Sequence, residues 1–428
     1  MQKYSKYKDS GVKWLGEIPS HWEVLAIKHV LKLKKNIVGK QSSQFDLLSL
    51  TLKGVVKRDM ENPEGKFPAS FDAYQIVEPN DFVFCNFDNE ETPRAVGLSP
   101  YKGMITGAYD VLFRKNPKLT DKFLIYYFLY IDDAKRFKPL YKGLRKTVPF
   151  DSFMSYKIPI PSLQEQDAIV SYLDSVTSKI DEAIAQQQKM IDLLNERKQI
   201  IINDAVTKGL DPKAKMKDSG IDWIGRIPEN WEIRKLKFLL KANLMYGANE
   251  SAESDDPSFP RYIRITDIDE DGWLKPDTFR SLPPLKAEPY LLDKGDLLFA
   301  RSGATAGKTY LFNEDIKACF AGYLIKASLK DVMMPEYLNY YTKSGVYDNW
   351  KKSIFIQATI PNIGADKYAN LLVTLPSKKE QRDIIKYLDL EVGKVNRVVS
   401  ECKEKIALLQ ERKQIIIDDV VTGKVKVV

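Results

Sequence analysis

One long stretch occurs twice, and it constrains the fold more than any other feature of the chain. Ser162-Leu163-Gln164-Glu165-Gln166 opens a run of roughly forty residues with neither Gly nor Pro, which closes on Thr207-Lys208-Gly209. Ser162 and Glu165 have the S-x-x-E spacing of a capping box, in which each side chain satisfies the other's backbone amide. Pro161 cannot continue a helix backwards, and Gly209 offers a left-handed stop. Ile169, Leu173, Thr177, Ile180, Ile184, Gln187, Ile191 and Leu194 recur at spacings of three and four, a seam for one partner helix.

The partner lies in the same chain. At an offset of 215 residues (377 − 162), Ser377 and Glu380 repeat the cap, with Pro376 ahead of it. The seam becomes Ile384, Leu388, Val392, Val395, Val399, Cys402, Ile406 and Leu409, and Gly423 closes the stretch. Glu196-Arg197-Lys198-Gln199 recurs as Glu411-Arg412-Lys413-Gln414, a segment that is either a solvated helix face or a docking surface. Two such helices, each roughly 65 Å long at 1.5 Å per residue, most simply bury their seams against each other. They far exceed the ~11-residue helix of ordinary globular domains, and a spacer is their natural use.

A second repeat opens each half. Asp9-Ser10-Gly11-Val12-Lys13-Trp14-Leu15-Gly16-Glu17-Ile18-Pro19-Ser20-His21-Trp22 recurs from Asp218 to Trp231, at an offset of 209 (218 − 9). The expected structure is a turn set by Gly and Pro and anchored by buried indoles of Trp14, Trp22, Trp223 and Trp231. Between this motif and its helix, each half reads as short strands around one short helix. Asp81–Cys85 and Ala108–Phe113 are strand-like, and Phe123–Tyr130 is helical. Asp296–Arg301 and Pro335–Tyr341 are counterparts in the second half. Trp350–Pro361 reads as the partner of the basic loop Lys142–Pro149, because Thr359-Ile360-Pro361 echoes Thr147-Val148-Pro149. Other loops differ: Asn86–Glu90 stands where Arg301–Thr305 stands. A common scaffold with unlike loops suits two modules that recognise different things.

Chain order then sets the geometry. The second globular part follows the first helix closely, so the second helix starts at that far end and must run back antiparallel. The expected fold class is α+β: two β-rich α/β parts joined by an antiparallel coiled coil of two long helices, with a pseudo-two-fold internal repeat. Residues Thr422–Val428 are expected to return close to Met1. A DNA duplex has the matching symmetry, which DNA-binding dimers exploit.

Composition narrows the partners. The formal charge of +8 permits a polyanion without demanding one. Cys85, Cys319 and Cys402 are distant and odd in number, as for free thiols in a reducing cytoplasm, and His21 and His29 do not make a zinc site. Met1–Lys6 has no signal-peptide core, and no apolar run approaches a membrane span. Gly303-Ala304-Thr305-Ala306-Gly307-Lys308-Thr309 falls short of a P-loop, with three residues where four are needed. No Asn-Pro-Pro-Tyr-type motif points to methyl transfer.

Asp-Ser-Gly-x-x-Trp-x-Gly-x-Ile-Pro-x-x-Trp at the head of each half, with Pro-Ser-x-x-Glu-Gln at the head of each helix, resembles the DNA-specificity (S) subunit of type I restriction–modification enzymes over Tyr7–Lys424. The resemblance implies target recognition domains at 1–160 and 210–375, with helical spacers at 161–209 and 376–428. It also implies a non-catalytic, cytoplasmic subunit that reads a bipartite, asymmetric site. Its partners would be double-stranded DNA, two modification (methyltransferase) subunits and the restriction (motor–nuclease) subunits, with no membrane. This chain would hold no cofactor: S-adenosylmethionine, and ATP with Mg, belong to the partner subunits.

Base reading needs forked donors, Arg for guanine and Asn or Gln for adenine, whereas lysines position the protein on phosphates. The candidates are Arg94, Lys142, Arg145 and Lys146 in the first domain. In the second they are Arg301, Lys308, Lys351, Lys352 and Gln357. Glu90 and Glu91 stand close enough to pair with Arg94. A competing function is a protein-binding coiled-coil scaffold with two β-rich interaction heads. The two separate by salt, since phosphate contacts make affinity fall steeply with ionic strength.

Overall fold

A computed structural model describes residues 2–59, 68–269, 272–355 and 361–427. The chain divides into two compact units, Met1–Gln187 with Glu404–Val428, and Gln188–Lys403. Both repeats fold as single helices, Leu163–Lys208 and Lys378–Val421, and each unit takes a segment of both.

In the first unit the opening motif is a hairpin, Tyr7–Asp9 on Glu17–Pro19. The strand Glu23–Ala26 then pairs with Lys157–Ile160, which leads directly into the first long helix. The centre is an antiparallel four-stranded sheet in the order Leu31–Lys34, Asp110–Arg114, Phe82–Phe84, Val96–Leu98. Strand side chains alternate between faces. Phe82 and Phe84 therefore join the large core under the helix Asp121–Asp133, while Val83 and Val111 face a smaller cluster with Leu48, Val55, Val77 and Ile105. Thr120 caps that helix, its hydroxyl accepting the Phe123 amide at 3.2 Å.

The second unit repeats this frame. Glu232–Lys235 pairs with Leu372–Leu375, and the sheet order is Met245–Tyr246, Leu324–Ala327, Leu297–Ala300, Thr309–Leu311. Leu297 and Phe299 face the core of that unit, while Leu298 and Ala300 face away into a satellite cluster. The periphery differs. Gln75–Val77 and Gly103–Ile105 are antiparallel, whereas Arg261–Ile263 and Ala318–Phe320 are parallel.

The helix pairing is antiparallel within each unit. In the first, Gly423 at the end of the second helix lies against Pro19 and Trp22, and the Trp22 indole reaches Glu165 at the start of the first helix. Further along, Lys413 grips Asp181 at 2.7 Å. In the second unit, Gly209 lies against Trp231, whose indole reaches Glu380, and further along Lys198 donates to Asn396. Every seam position read from the sequence is buried or half-buried. Gln2 bridges to Lys426, so the two described ends meet within the first unit.

Two expectations need correction. Trp22 and Trp231 are buried, but Trp14 is 44% exposed and stacks on Tyr156 with centroids 4.5 Å apart, while Trp223 is half-buried. Val12 and Leu15 fill the buried positions of that turn and leave Trp14 at its rim. Trp350–Phe355 is not loop either: it is the second half of a helix, Gly345–Phe355, because Val346, Tyr347 and Trp350 form a helical apolar stripe. The rest of the expected loop, 356–360, lies outside the described residues.

Candidate nucleic-acid interface

In the first unit a basic turn meets an acidic loop. Lys142 and Thr147 exchange both backbone hydrogen bonds, at 2.9 and 3.0 Å, and close a four-residue tip from Gly143 to Lys146. Gly143 and Lys146 both have positive φ, +69° and +43°. This turn is sewn to the loop after Phe82–Phe84. The Val148 amide donates to Asn86 O, the Asp88 amide to Arg145 O, and the Tyr141 hydroxyl to Asn89 Oδ1, all within 2.7–2.8 Å. Asp88 too adopts a left-handed conformation, φ +46°, which a short polar side chain tolerates.

The candidate cations are not equivalent. Arg94 is 15% exposed and its guanidinium is taken up by Asp132 and Asp133, at 3.2 and 2.6 Å, rather than by the neighbouring glutamates. Burial pushes the Asp133 carboxyl up, with Arg94 pulling against it. Arg145 is 67% exposed, pairs with Asp88 and lies 4.9 Å above the Phe87 ring. The Arg145 hydrogen bond holds the Asp88 carboxyl below the usual range. Lys146, then Lys138, do the same to Glu90. Lys142 is exposed and, among the described residues, makes no ion pair. The turn is thus a set of surface cations partly neutralised by their own loop, and exposed pairs of this kind hold weakly.

The second unit builds the same junction from other residues. The Ile363 amide donates to Arg301 O at 2.8 Å, as Val148 does to Asn86. That bond makes Ile363, not Ile360, the counterpart of Val148, so the Thr-Ile-Pro echo does not mark the equivalent turn. The Arg301 guanidinium lies 5.2 Å over the Tyr246 ring, and the Tyr246 hydroxyl accepts the Ala365 amide. Gly303–Thr305 is a single helical turn in a hairpin, followed by the strand Thr309–Leu311, so no strand–loop–helix phosphate cradle exists there. Gly307, at φ +86°, lies directly under the aliphatic stem of Lys351, where a Cβ would collide. Lys308 donates to Ile268 O at 3.1 Å and Lys351 pairs with Asp348 at 2.8 Å. Lys352 is exposed on the next helical position. Gln357 lies outside the described residues.

In each unit the two repeated motifs meet each other. Glu165 completes its capping box with Ser162 and also accepts from His21 at 2.9 Å and Trp22 at 3.3 Å. Burial raises its carboxyl, but these donors outweigh it and hold the group below the usual range. Glu380 repeats the arrangement with Ser377, Trp231 and Asn230. Gln166 is wholly buried: its carbonyl accepts the Thr120 amide, and its NH2 donates to Lys118 O and Pro161 O. Gln381 does likewise with Met334, Val332 and Pro376. The motifs therefore weld each recognition frame to its helix, a role the sequence repeat signalled but whose partners it did not reveal. Phe87 and Tyr246, which carry the two arginines, were also missed; Phe87, an aromatic inside a polar loop, offered a signal, whereas Tyr246 lies in the short strand Met245–Tyr246 and offered none.

A family model described as the type I restriction modification DNA specificity domain matches residues 96–191 and 228–394. The chain belongs to this family. The type I restriction enzyme MjaVIII specificity subunit of Methanocaldococcus jannaschii is 24% identical over 443 residues, covering 98% of this chain and 97% of that protein. The EcoKI specificity subunit of Escherichia coli K12 is 20% identical over 433 residues, covering 96% and 90%. The putative MjaX specificity subunit of M. jannaschii is 28% identical over 256 residues, and there the chain spans about half, 56%, of the relative. A solved chain from work on complex assembly and conformational transition of the type I R-M system has the same fold, with a TM-score of 0.69 at 16% identity over 95% of this chain and 99% of that one. Among the described residues, no helix of this specificity-family chain is long and apolar enough to cross a membrane.

Proposed function

We propose that this chain is the DNA-reading subunit of a type I restriction–modification complex and that it recognises a bipartite, asymmetric site. One observation carries the reading: both units repeat one strand order, yet each presents a different loop at the same junction, the acidic Asn86–Arg94, to which the cationic Lys142–Thr147 turn is bonded, in one and the basic Arg301–Thr309 in the other. Like frames with unlike loops read unlike half-sites. Arg145 and Arg301, each laid on an aromatic ring, are the base readers. Lys142, Lys146, Lys308, Lys351 and Lys352 hold phosphates, and Arg94 braces its loop. The chain performs no chemistry of its own and works in the cytoplasm. S-adenosylmethionine, ATP and Mg act on the modification and restriction subunits.

Two modification subunits dock on the helices. Leu193 and Ile200 are exposed one heptad apart beside Glu196-Arg197, and Leu408 and Ile415 repeat them beside Glu411-Arg412. The same apolar pair presented twice suits two copies of one partner.

Selection from randomised DNA, with the modification subunit present, tests the proposal. The expected outcome is two short specified blocks around an unspecified gap. A single continuous block, or binding that ignores salt, overturns it in favour of a protein-binding scaffold.

A further inference from the structure

The leading side chain of the Lys142–Thr147 turn is apolar. Leu144 is 102% exposed and touches nothing that would cover it, at the tip of a turn closed by paired backbone hydrogen bonds and sewn at its root to the Asn86–Asn89 loop. Its cationic neighbours are held back: Arg145 lies on Phe87 and Asp88, and Lys146 on Glu90. The cations of the turn flank its tip, and the tip itself is a branched alkyl group.

Resting on the reading of the chain as a DNA-binding subunit, we propose that Leu144 is a specificity residue that packs against a thymine methyl in the major groove. Three observations converge on that partner. The turn is a tight finger closed by a single antiparallel bridge between Lys142 and Thr147, a shape the ~12 Å major groove admits more readily than the ~6 Å minor groove. Phosphates and sugars offer an exposed leucine little, whereas the thymine C5-methyl is the apolar mark on the major-groove edge. The turn is held by the paired Lys142–Thr147 backbone hydrogen bonds and by the bonds of Arg145 and Val148 to Asp88 and Asn86, so Leu144 is carried in one position rather than searching for one. Lys142, at the root of the same turn, then lies beside the backbone phosphate.

The probe is the DNA duplex that the wild-type chain, with its modification subunits, selects from a random pool, carrying deoxyuridine in place of each thymine in turn. One replacement is expected to weaken wild-type binding about fivefold, the scale of losing a buried methyl contact. Leu144→Ala is expected to lose a similar factor on the thymine duplex, to lose nothing further on the matching deoxyuridine duplex, and to melt like wild type. If Leu144→Ala selects the same site with the same affinity, the assignment is overturned while the DNA-reading function stands. If wild type selects no site at all, the function itself falls. An increase in fluorescence of 2-aminopurine in the selected site that disappears in Leu144→Ala also overturns the assignment, because it marks a wedge between unstacked bases.

Discussion

Glu165 is surrounded by donors from two distant parts of the chain, and its charge is what makes the arrangement work. Its folded carboxyl lies below the ordinary value, so its contribution is fully present above about pH 4.3 and is lost as pH falls through the lower folded value. Glu165→Gln and Glu380→Gln are each expected to cost about 1 kcal/mol at pH 7 and to flatten the acid limb of stability, as read by urea unfolding across pH. Arg94 and Lys142 make the opposite contrast. Arg94→Ala removes the guanidinium from the nearly buried Asp132, which keeps Lys135 and the Ala95 amide, and is expected to cost about 2 kcal/mol. Lys142→Ala is expected to leave unfolding unchanged and to reduce the salt slope of DNA binding by about 0.9, the release of one phosphate contact. The sequence pointed to all these cations. It did not show which were already spoken for, because Asp132 and Asp133 lie far from Arg94 along the chain and only folding brings them together.

At the scale of elements, the helices were legible because a seam of spacing three and four has one physical reading over so many turns. The alternation of Phe82, Val83 and Phe84 was legible for the same reason. The basic segment of the second unit was not. A three-residue echo suggested a loop, while the stripe of Val346, Tyr347 and Trp350 made a helix. Buried area outweighed local resemblance. The helix stops carry a sharper demand than their sequence suggests. Gly423 has φ +76°, and an added Cβ would meet the Pro19 ring and the Trp22 indole. Gly423→Ala is expected to destabilise by more than about 1 kcal/mol and to lower the melting temperature, whereas Gly393→Ala, at an open position in the same helix, is expected to raise it slightly.

For the whole molecule, the proposed bipartite reading makes helix length the variable that sets the gap between half-sites. Seven residues added at facing positions of both helices keep the seam in phase and lengthen each by ~10 Å, about three base pairs of duplex. The selected gap is expected to widen by that amount, and an unchanged gap refutes the spacer role. The division into units also has a consequence for biosynthesis. Gln188–Lys403 is continuous in sequence, but the other unit needs Ile416, Ile417, Val420 and Val421 in its core. Synthesis delivers those residues only after Gln188–Lys403. The half of the protein that emerges first from the ribosome therefore waits, incomplete, until the second has been made. Nascent chains tethered to the ribosome so that residue 403 has just cleared the exit tunnel should already resist protease over Gln188–Lys403 while the N-terminal half is still cut.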